Sequence, residues 1–129
     1  MEASGRQVAL AATGHTIVVE KSNQPVRTAA AIKTILEAAQ DDSRSRAFSV
    51  LLNPGFLAEG TAIRDLEAAD RVLIGGEDSA SIDALASVYG HCAPESQILR
   101  TNLWSSELSK LIANAFLAQR INQISSVIV

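Results

Sequence analysis

The chain has 129 residues, with 11 Lys plus Arg against 14 Asp plus Glu, a formal net charge of -3 and 47% hydrophobic residues. That is one domain's worth of chain or less, and a mildly acidic balance with no basic run beyond Arg44 and Arg46 excludes a nucleic-acid binder. The lone Cys92 and the widely separated His15 and His91 exclude an internal disulfide and a recognisable metal motif, and the absence of an apolar run of roughly 20 residues argues against a membrane span.

In chain order, Gln7–Ala12 reads as the tail of a helix, and Thr16–Glu20 as a strand buried on both faces of a parallel sheet. A helix from about Pro25 to Ala39 follows, with Ser22-Asn23-Gln24 supplying caps and Pro25 at a first helical position. The polar loop Asp41–Arg46 leads to a second strand, Phe48–Leu52, halted by Asn53-Pro54-Gly55. A short helix around Thr61–Leu66 is expected, then a strand Arg71–Ile74 closed by Gly75-Gly76, a helix over Ser81–Tyr89, and a short strand at Ile98-Leu99.

From Ser105-Ser106-Glu107 a long helix carries Leu108, Leu111, Ile112, Ala115, Phe116, Ile121, Ile124 and Ile128 on a wide apolar face, read as core or dimer interface. Ser105 or Ser106 is its expected cap, and Glu107 a first-turn complement to its dipole. Strands alternating with helices predict an α/β fold with a mainly parallel sheet. Aromatics are only 4% and alanine carries much of the apolar total, so the core is expected to be shallow and completed by a neighbour. The apolar run up to Val129 has no stop signal, which suggests a chain ending inside an element. The start, Met1–Arg6, lacks the pattern of a signal peptide; with the single cysteine this reads as a soluble cytoplasmic protein.

Self-sufficient motifs are missing: there is no GxGxxG, HExxH, GxSxG or CxxC. The Gly55 to Gly60 spacing is followed by Thr61-Ala62 where a P-loop needs Lys and Ser or Thr. Attention therefore falls on the loops after the strands, Glu20–Asn23 and Asn53–Gly60, because open α/β sheets bind ligands beyond the carboxyl ends of their strands.

At these loops the sequence becomes recognisable. Val19-Glu20-Lys21-Ser22, Pro25-Val26-Arg27, Asn53-Pro54-x-Phe56-Leu57-Ala58-Glu59-Gly60-Thr61-Ala62-Ile63-Arg64-Asp65-Leu66, Asp70–Gly76 and Trp104–Ile121 together resemble the eukaryotic type of UDP-glucose 6-dehydrogenase, within the UDP-glucose/GDP-mannose dehydrogenase family. The resemblance spans residues 16–129. It implies an oxidoreductase of UDP-glucuronate biosynthesis that oxidises the C6 alcohol of UDP-glucose to a carboxylate with two NAD, through a cysteine-bound thiohemiacetal and thioester.

It also implies that residues 1–100 are the later part of a Rossmann-like NAD-binding domain and residues 101–129 the start of a central dimerisation helix, so that the chain is an internal piece or truncated copy. Lys110 and Asn114 match the lysine and asparagine that hold the sugar and polarise the reacting oxygen, and their i, i+4 spacing puts both on one helix face. Phe56, Leu57, Ala58 and Glu59 match a loop that touches the UDP-sugar, with Glu59 also near the nicotinamide, and Ser22 lies where a strand-end loop meets NAD.

Departures from the pattern are as informative. The family's acid/base glutamate is replaced by Gly55, its Lys-Ser-Thr has become Lys21-Ser22-Asn23, the nucleophilic cysteine is not among these residues, and Cys92, expected to be semi-buried, is no substitute for it. The chain is expected to be inactive by itself. A different class of reading is a non-catalytic interaction module that pairs through the helix Leu108–Ile128, as a homodimer or with a full-length enzyme; a free-standing UDP-glucose binder is a third, and no binding is expected of it.

Overall fold

The structure is a computed structural model that describes residues 2–22, 25–39, 47–55, 60 and 71–127, with side chains described as far as residue 120. Among these residues the elements are α1 (Glu2–Ala11), β1 (Thr16–Glu20), α2 (Thr28–Ala38), β2 (Phe48–Leu52), β3 (Val72–Gly75), α3 (Ser79–Tyr89), a 3-10 turn at Glu95–Gln97, β4 (Ile98–Thr101) and α4 (Leu103–Val127). The expected short helix around Thr61–Leu66 lies outside the described residues, apart from which each expected strand and helix is found.

The four strands lie side by side in sequence order. β1 runs parallel to β2, with Thr16 opposite Phe48 and Glu20 opposite Leu52, and β3 runs parallel to β4. The middle junction is antiparallel and touches only at its ends, Leu52 opposite Gly75. The fold is thus the expected α/β class with a mainly parallel sheet, but with one reversed junction. β1 is also not buried on both faces. It is an edge strand among the described residues and all five of its residues are half-buried, because only β2 flanks it.

β2 separates two small cores by the alternation of its side chains. Val50 and Leu52 join Ala9, Ala29, Ile32 and Leu36 beneath α1 and α2, with Leu103 packed alongside. Leu51 joins Val72, Ile74, Ala86 and Ile98 beneath α3. No aromatic ring is fully buried among the described residues; both cores are aliphatic and alanine-rich, which is the shallow packing that the composition foretells.

Helix entries differ from the expected ones in instructive ways. α3 starts two residues early because Asp78 caps it: the Ser81 hydroxyl, and also the Ser81 N–H at 3.0 Å, donate to its carboxylate and hold that group below its ordinary pKa of 3.8. α4 is capped by Asn102, whose Oδ1 accepts from Ser105 N–H at 2.8 Å, so neither Ser105 nor Ser106 is the cap. α2 begins at Thr28 rather than near Pro25, with Arg27 at the cap in the left-handed conformation, φ 75°, and with no cap from its own side chain.

Gly75 and Gly76 do more than end a strand. A Cβ on Gly75 would lie 2.4 Å from Cβ of Ser106 and 3.0 Å from the Asn102 carbonyl oxygen; on Gly76 it would lie 2.4 Å from Leu51 Cδ2. The missing side chains let α4 and the two layers of the core approach the sheet. Gly75→Ala is therefore expected to destabilise the chain by about 1–3 kcal/mol through overpacking against backbone as well as side chain, measured as a lowered midpoint in urea denaturation.

Candidate functional site

Because β1 and β2 are parallel, their carboxyl ends open on the same side, and the first turns of α4 cross in front of them. Between them is a shallow cleft, open to solvent and lined by Glu20 and Ser22 after β1, Leu52 and Pro54 after β2, and Ser106, Glu107, Lys110, Leu111 and Asn114 on α4. Lys110, Asn114 and Ser22, drawn from opposite ends of the sequence, therefore share one concave surface. Phe56, Leu57, Ala58 and Glu59 lie outside the described residues; of the residues that lead into them, Pro54 lines the cleft and Gly55 meets Lys110 from it.

Each side chain is held by chemistry from a different element. The Lys110 ammonium is half-buried and donates to the carbonyl oxygen of Gly55, which ties α4 to the loop after β2. Ser22 donates through both its N–H, at 2.7 Å, and its hydroxyl to the Glu20 carboxylate, folding the strand end into a tight turn. Asn114 sits one turn beyond Lys110, exposed on the cleft wall.

Glu107 does not serve its own helix. Its carboxylate oxygens accept from Arg27 N–H at 2.8 Å and Ala29 N–H at 3.1 Å, the amides at the entry to α2 that have no partner within the helix. Ser106 is wholly buried against Gly75, and its hydroxyl is a buried polar group with no hydrogen-bond partner among the described residues. Glu20 and Pro54 stand in the two loops that the sequence singles out, whereas Ser106 and Glu107 are cleft residues that sequence reasoning missed. The signal for Glu107 was present in its i, i+3 relation to Lys110; the burial of Ser106 has no sequence signature.

On the other side of the strand ends, Lys21 donates to Asn53 Oδ1 at 3.0 Å and to the Tyr89 hydroxyl at 2.7 Å, with its ammonium 5.4 Å from the centre of the tyrosine ring. The Tyr89 hydroxyl in turn donates to Asn53 Oδ1, and buried Asn53 donates through Nδ2 to the Leu73 carbonyl at 2.9 Å. This network fastens β1, β2, β3 and α3 together just behind the cleft.

His15 Nε2 lies 2.9 Å from Ser49 Oγ, whose hydroxyl is 3.4 Å from Asp78. With serine in the middle of that row the aspartate orients no imidazole, so the group is not a nucleophilic triad. Cys92 is exposed rather than semi-buried, and its thiol donates to the Tyr89 carbonyl at 3.3 Å. Among the described residues no cluster of His, Cys, Asp and Glu could hold a metal ion, and no helix is long and apolar enough to cross a membrane.

A sheet of this order, with a cleft at its parallel strand ends walled by a long following helix, defines an α/β ligand-binding domain. Residues 1–93 match the family model described as the UDP-glucose/GDP-mannose dehydrogenase family, NAD binding domain, and the chain belongs to that family. Among curated relatives, UDP-glucose 6-dehydrogenase 1 of Oryza sativa subsp. japonica is 54% identical over 129 residues, 97% of this chain and 26% of the relative. The UDP-glucose 6-dehydrogenase of Caenorhabditis elegans is 51% identical over 98% of this chain and 27% of its own length. Among solved structures, a UDP-glucose dehydrogenase from the hyperthermophilic archaeon Pyrobaculum islandicum superposes with a TM-score of 0.80 at 31% identity, covering 91% of this chain and 27% of that one. The GDP-mannose dehydrogenase of Pseudomonas aeruginosa, solved as a ternary complex, gives 0.80 at 25% identity, covering 93% and 28%. The chain spans about a quarter of the length of the curated relatives it matches.

The orphaned hydroxyl of Ser106 makes a direct test of the cleft floor. Ser106→Ala is expected to leave the fold intact and to raise stability by about 1 kcal/mol, since a buried hydroxyl without a partner carries an uncompensated desolvation cost; the shift is read from the thermal or urea midpoint.

Proposed function

We propose that this chain carries one wall of the active site of an NAD-dependent UDP-glucose 6-dehydrogenase, the enzyme that oxidises the sugar's C6 alcohol to the carboxylate of UDP-glucuronate. The observation that supports this best is the convergence of Lys110, Asn114 and Ser22 on one cleft at the strand ends. In this reading residues 1–100 are the later part of a Rossmann-like NAD-binding domain and residues 101–129 the start of the central helix.

Lys110 and Asn114 are the proposed catalytic pair. A cation and a neutral donor one turn apart can hold the C6 oxygen and stabilise negative charge as it develops there. Glu20 and Glu107 offer acceptors to sugar hydroxyls on the same wall. Phe56, Leu57, Ala58 and Glu59 are proposed to contact the UDP-sugar, and Ser22 and Glu59 the cofactor. Bound NAD supplies the hydride acceptor for the oxidation.

The residues of the cleft fit only one end of that cofactor. The α2 amides that could seat a pyrophosphate are already bonded to Glu107, and two carboxylates face the space, so the donor set suits the nicotinamide ribose rather than the phosphates. The 129 residues contain no GxGxxG, and glycine occupies position 55, where the resemblance expects an acid/base glutamate. A lone exposed thiol suits a reducing compartment, and we read the protein as cytoplasmic. The test is NADH formation, followed by absorbance, with purified 129-residue chain, UDP-glucose and NAD. Neither the chain nor its Gly55→Glu variant is expected to exceed the blank, whereas turnover by the unaltered chain would overturn the reading that these residues need the rest of the enzyme.

A second reading is favoured by the outer face of α4, where Ile112, Phe116 and Leu117 are exposed, Phe116 at 62%. Apolar side chains spaced along a helix at this density suit pairing with a second copy or with a full-length dehydrogenase. Sedimentation equilibrium is expected to show a dimer that the Phe116→Glu, Leu117→Glu double variant converts to monomer; a monomer in both would sink the pairing.

A further inference from the structure

We propose that Glu107 is the positioning residue of the cleft: by capping α2 from the neighbouring helix it fixes where α4 presents Lys110. This rests on the reading of Lys110 as the cation that faces the reacting oxygen. The geometry consists of two bonds from main-chain amides to one carboxylate, Arg27 N–H at 2.8 Å and Ala29 N–H at 3.1 Å, made between α4, which lines the cleft, and the entry to α2, which follows the β1 loop.

Three observations carry the inference. The first is that α2 has no cap of its own: Arg27 occupies the cap position without a side-chain hydrogen bond, so the helix entry is satisfied from α4. A carboxylate at that end also complements the helix dipole. The second is the backbone of Arg27, the one non-glycine residue with positive φ among the described residues, at 75°. A non-glycine residue keeps that conformation only where its surroundings hold it, and the bond from its own N–H to Glu107 is such a hold.

The third is spacing. Glu107 and Lys110 are three residues apart on the same helix face, and both line the cleft. Lys110 is bonded to the Gly55 carbonyl on the β2 loop, and Glu107 to the α2 entry that follows the β1 loop. One turn of α4 is thereby tied to both loops that close the cleft. A rigid helix pinned at Glu107 cannot roll about its own axis, and rolling is the motion that would swing the Lys110 ammonium away from Gly55.

The test uses the whole 129-residue chain without any ligand, so its outcome is separate from that of the NADH assay, which bears on the functional reading. Lysine acylation is followed by mass spectrometry with Lys21 as the internal reference, because Lys21 is held by Asn53 and Tyr89 and does not meet Glu107. Amide hydrogen exchange at Arg27 and Ala29 is followed by NMR.

In the unaltered chain Lys110, half-buried, is expected to label more slowly than exposed Lys21. In Glu107→Ala the labelling of Lys110 rises several-fold relative to Lys21, and exchange at Arg27 and Ala29 speeds up by about fivefold or more, the loss of one cap. Glu107→Gln, with one acceptor oxygen in place of two, falls between. Should Glu107→Ala unfold, all lysines accelerate together and Glu107→Gln decides by the same criterion. Faster exchange at Arg27 and Ala29 with unchanged Lys110 labelling in the folded variant would overturn the proposal, since it would make Glu107 a cap and nothing more.

Discussion

The position of α4 depends on how closely it can approach the sheet, and that distance is governed by Gly75. Ser106 occupies the space where a side chain on β3 would otherwise stand, with its Cβ 2.4 Å from the point that a Cβ on Gly75 would occupy. Helix and strand backbones at such range need one partner without a side chain. The consequence reaches the cleft because Ser106, Glu107, Lys110 and Asn114 follow one another on the same helix. An α4 held farther out would leave Glu107 short of the α2 amides and Lys110 short of Gly55. The fully buried, unpartnered hydroxyl of Ser106 is the cost of this proximity, and alanine would fit the same gap without it.

Among the described residues, the charged groups of the cleft meet main-chain atoms. Glu107 spends both oxygens on amides of α2, Glu20 is engaged by Ser22, and Lys110 bonds a carbonyl. The four ion pairs among the described residues lie elsewhere and are solvent-exposed, such as Arg100 with Glu95 and Asp83. Exposed pairs contribute little. A carboxylate satisfied by main-chain N–H groups is held in a fixed geometry while its remaining lone pairs can still accept from a hydroxylated ligand. This arrangement suits a sugar, whose hydroxyls need acceptors as well as donors.

Much of this was legible in the sequence because it rests on local pattern. The β-branched run Thr16–Glu20, the apolar Phe48–Leu52 and the helical spacing after Ser105 each correspond to an element, and Lys110 with Asn114 shared a face by periodicity alone. What escaped was long-range. Strand direction is not encoded in alternation, so the reversal at β3 was invisible, and edge burial of β1 follows from its neighbours rather than from its residues. Gly75-Gly76 looked like turn residues because packing against Ser106 and Leu51 has no local signature. Glu107 looked like a first-turn residue of its own helix for the same reason: its partners, Arg27 and Ala29, lie far away in the chain. Asn102 was passed over for the two serines, although asparagine is as good a cap and stands directly before Leu103.

Gly55 brings these strands of argument together. The resemblance leads one to expect a glutamate there, and the structure has the Lys110 ammonium bonded to the Gly55 main-chain carbonyl. For holding the lysine a glycine at this position is adequate, since any residue supplies the main-chain carbonyl and a charge-assisted bond to it is worth about 1.5–3 kcal/mol. For proton transfer it is not, because a peptide carbonyl has no accessible pKa near neutrality and cannot accept and return a proton as a carboxylate does. In the proposed reading the cleft thus keeps the means of orienting a polar substrate while lacking, at this position, the group that would exchange a proton with it. Geometry and chemistry are separable here because the geometry is built from backbone partners at Gly55, Arg27 and Ala29, which survive side-chain replacement, whereas the chemistry depends on a side chain that glycine does not have.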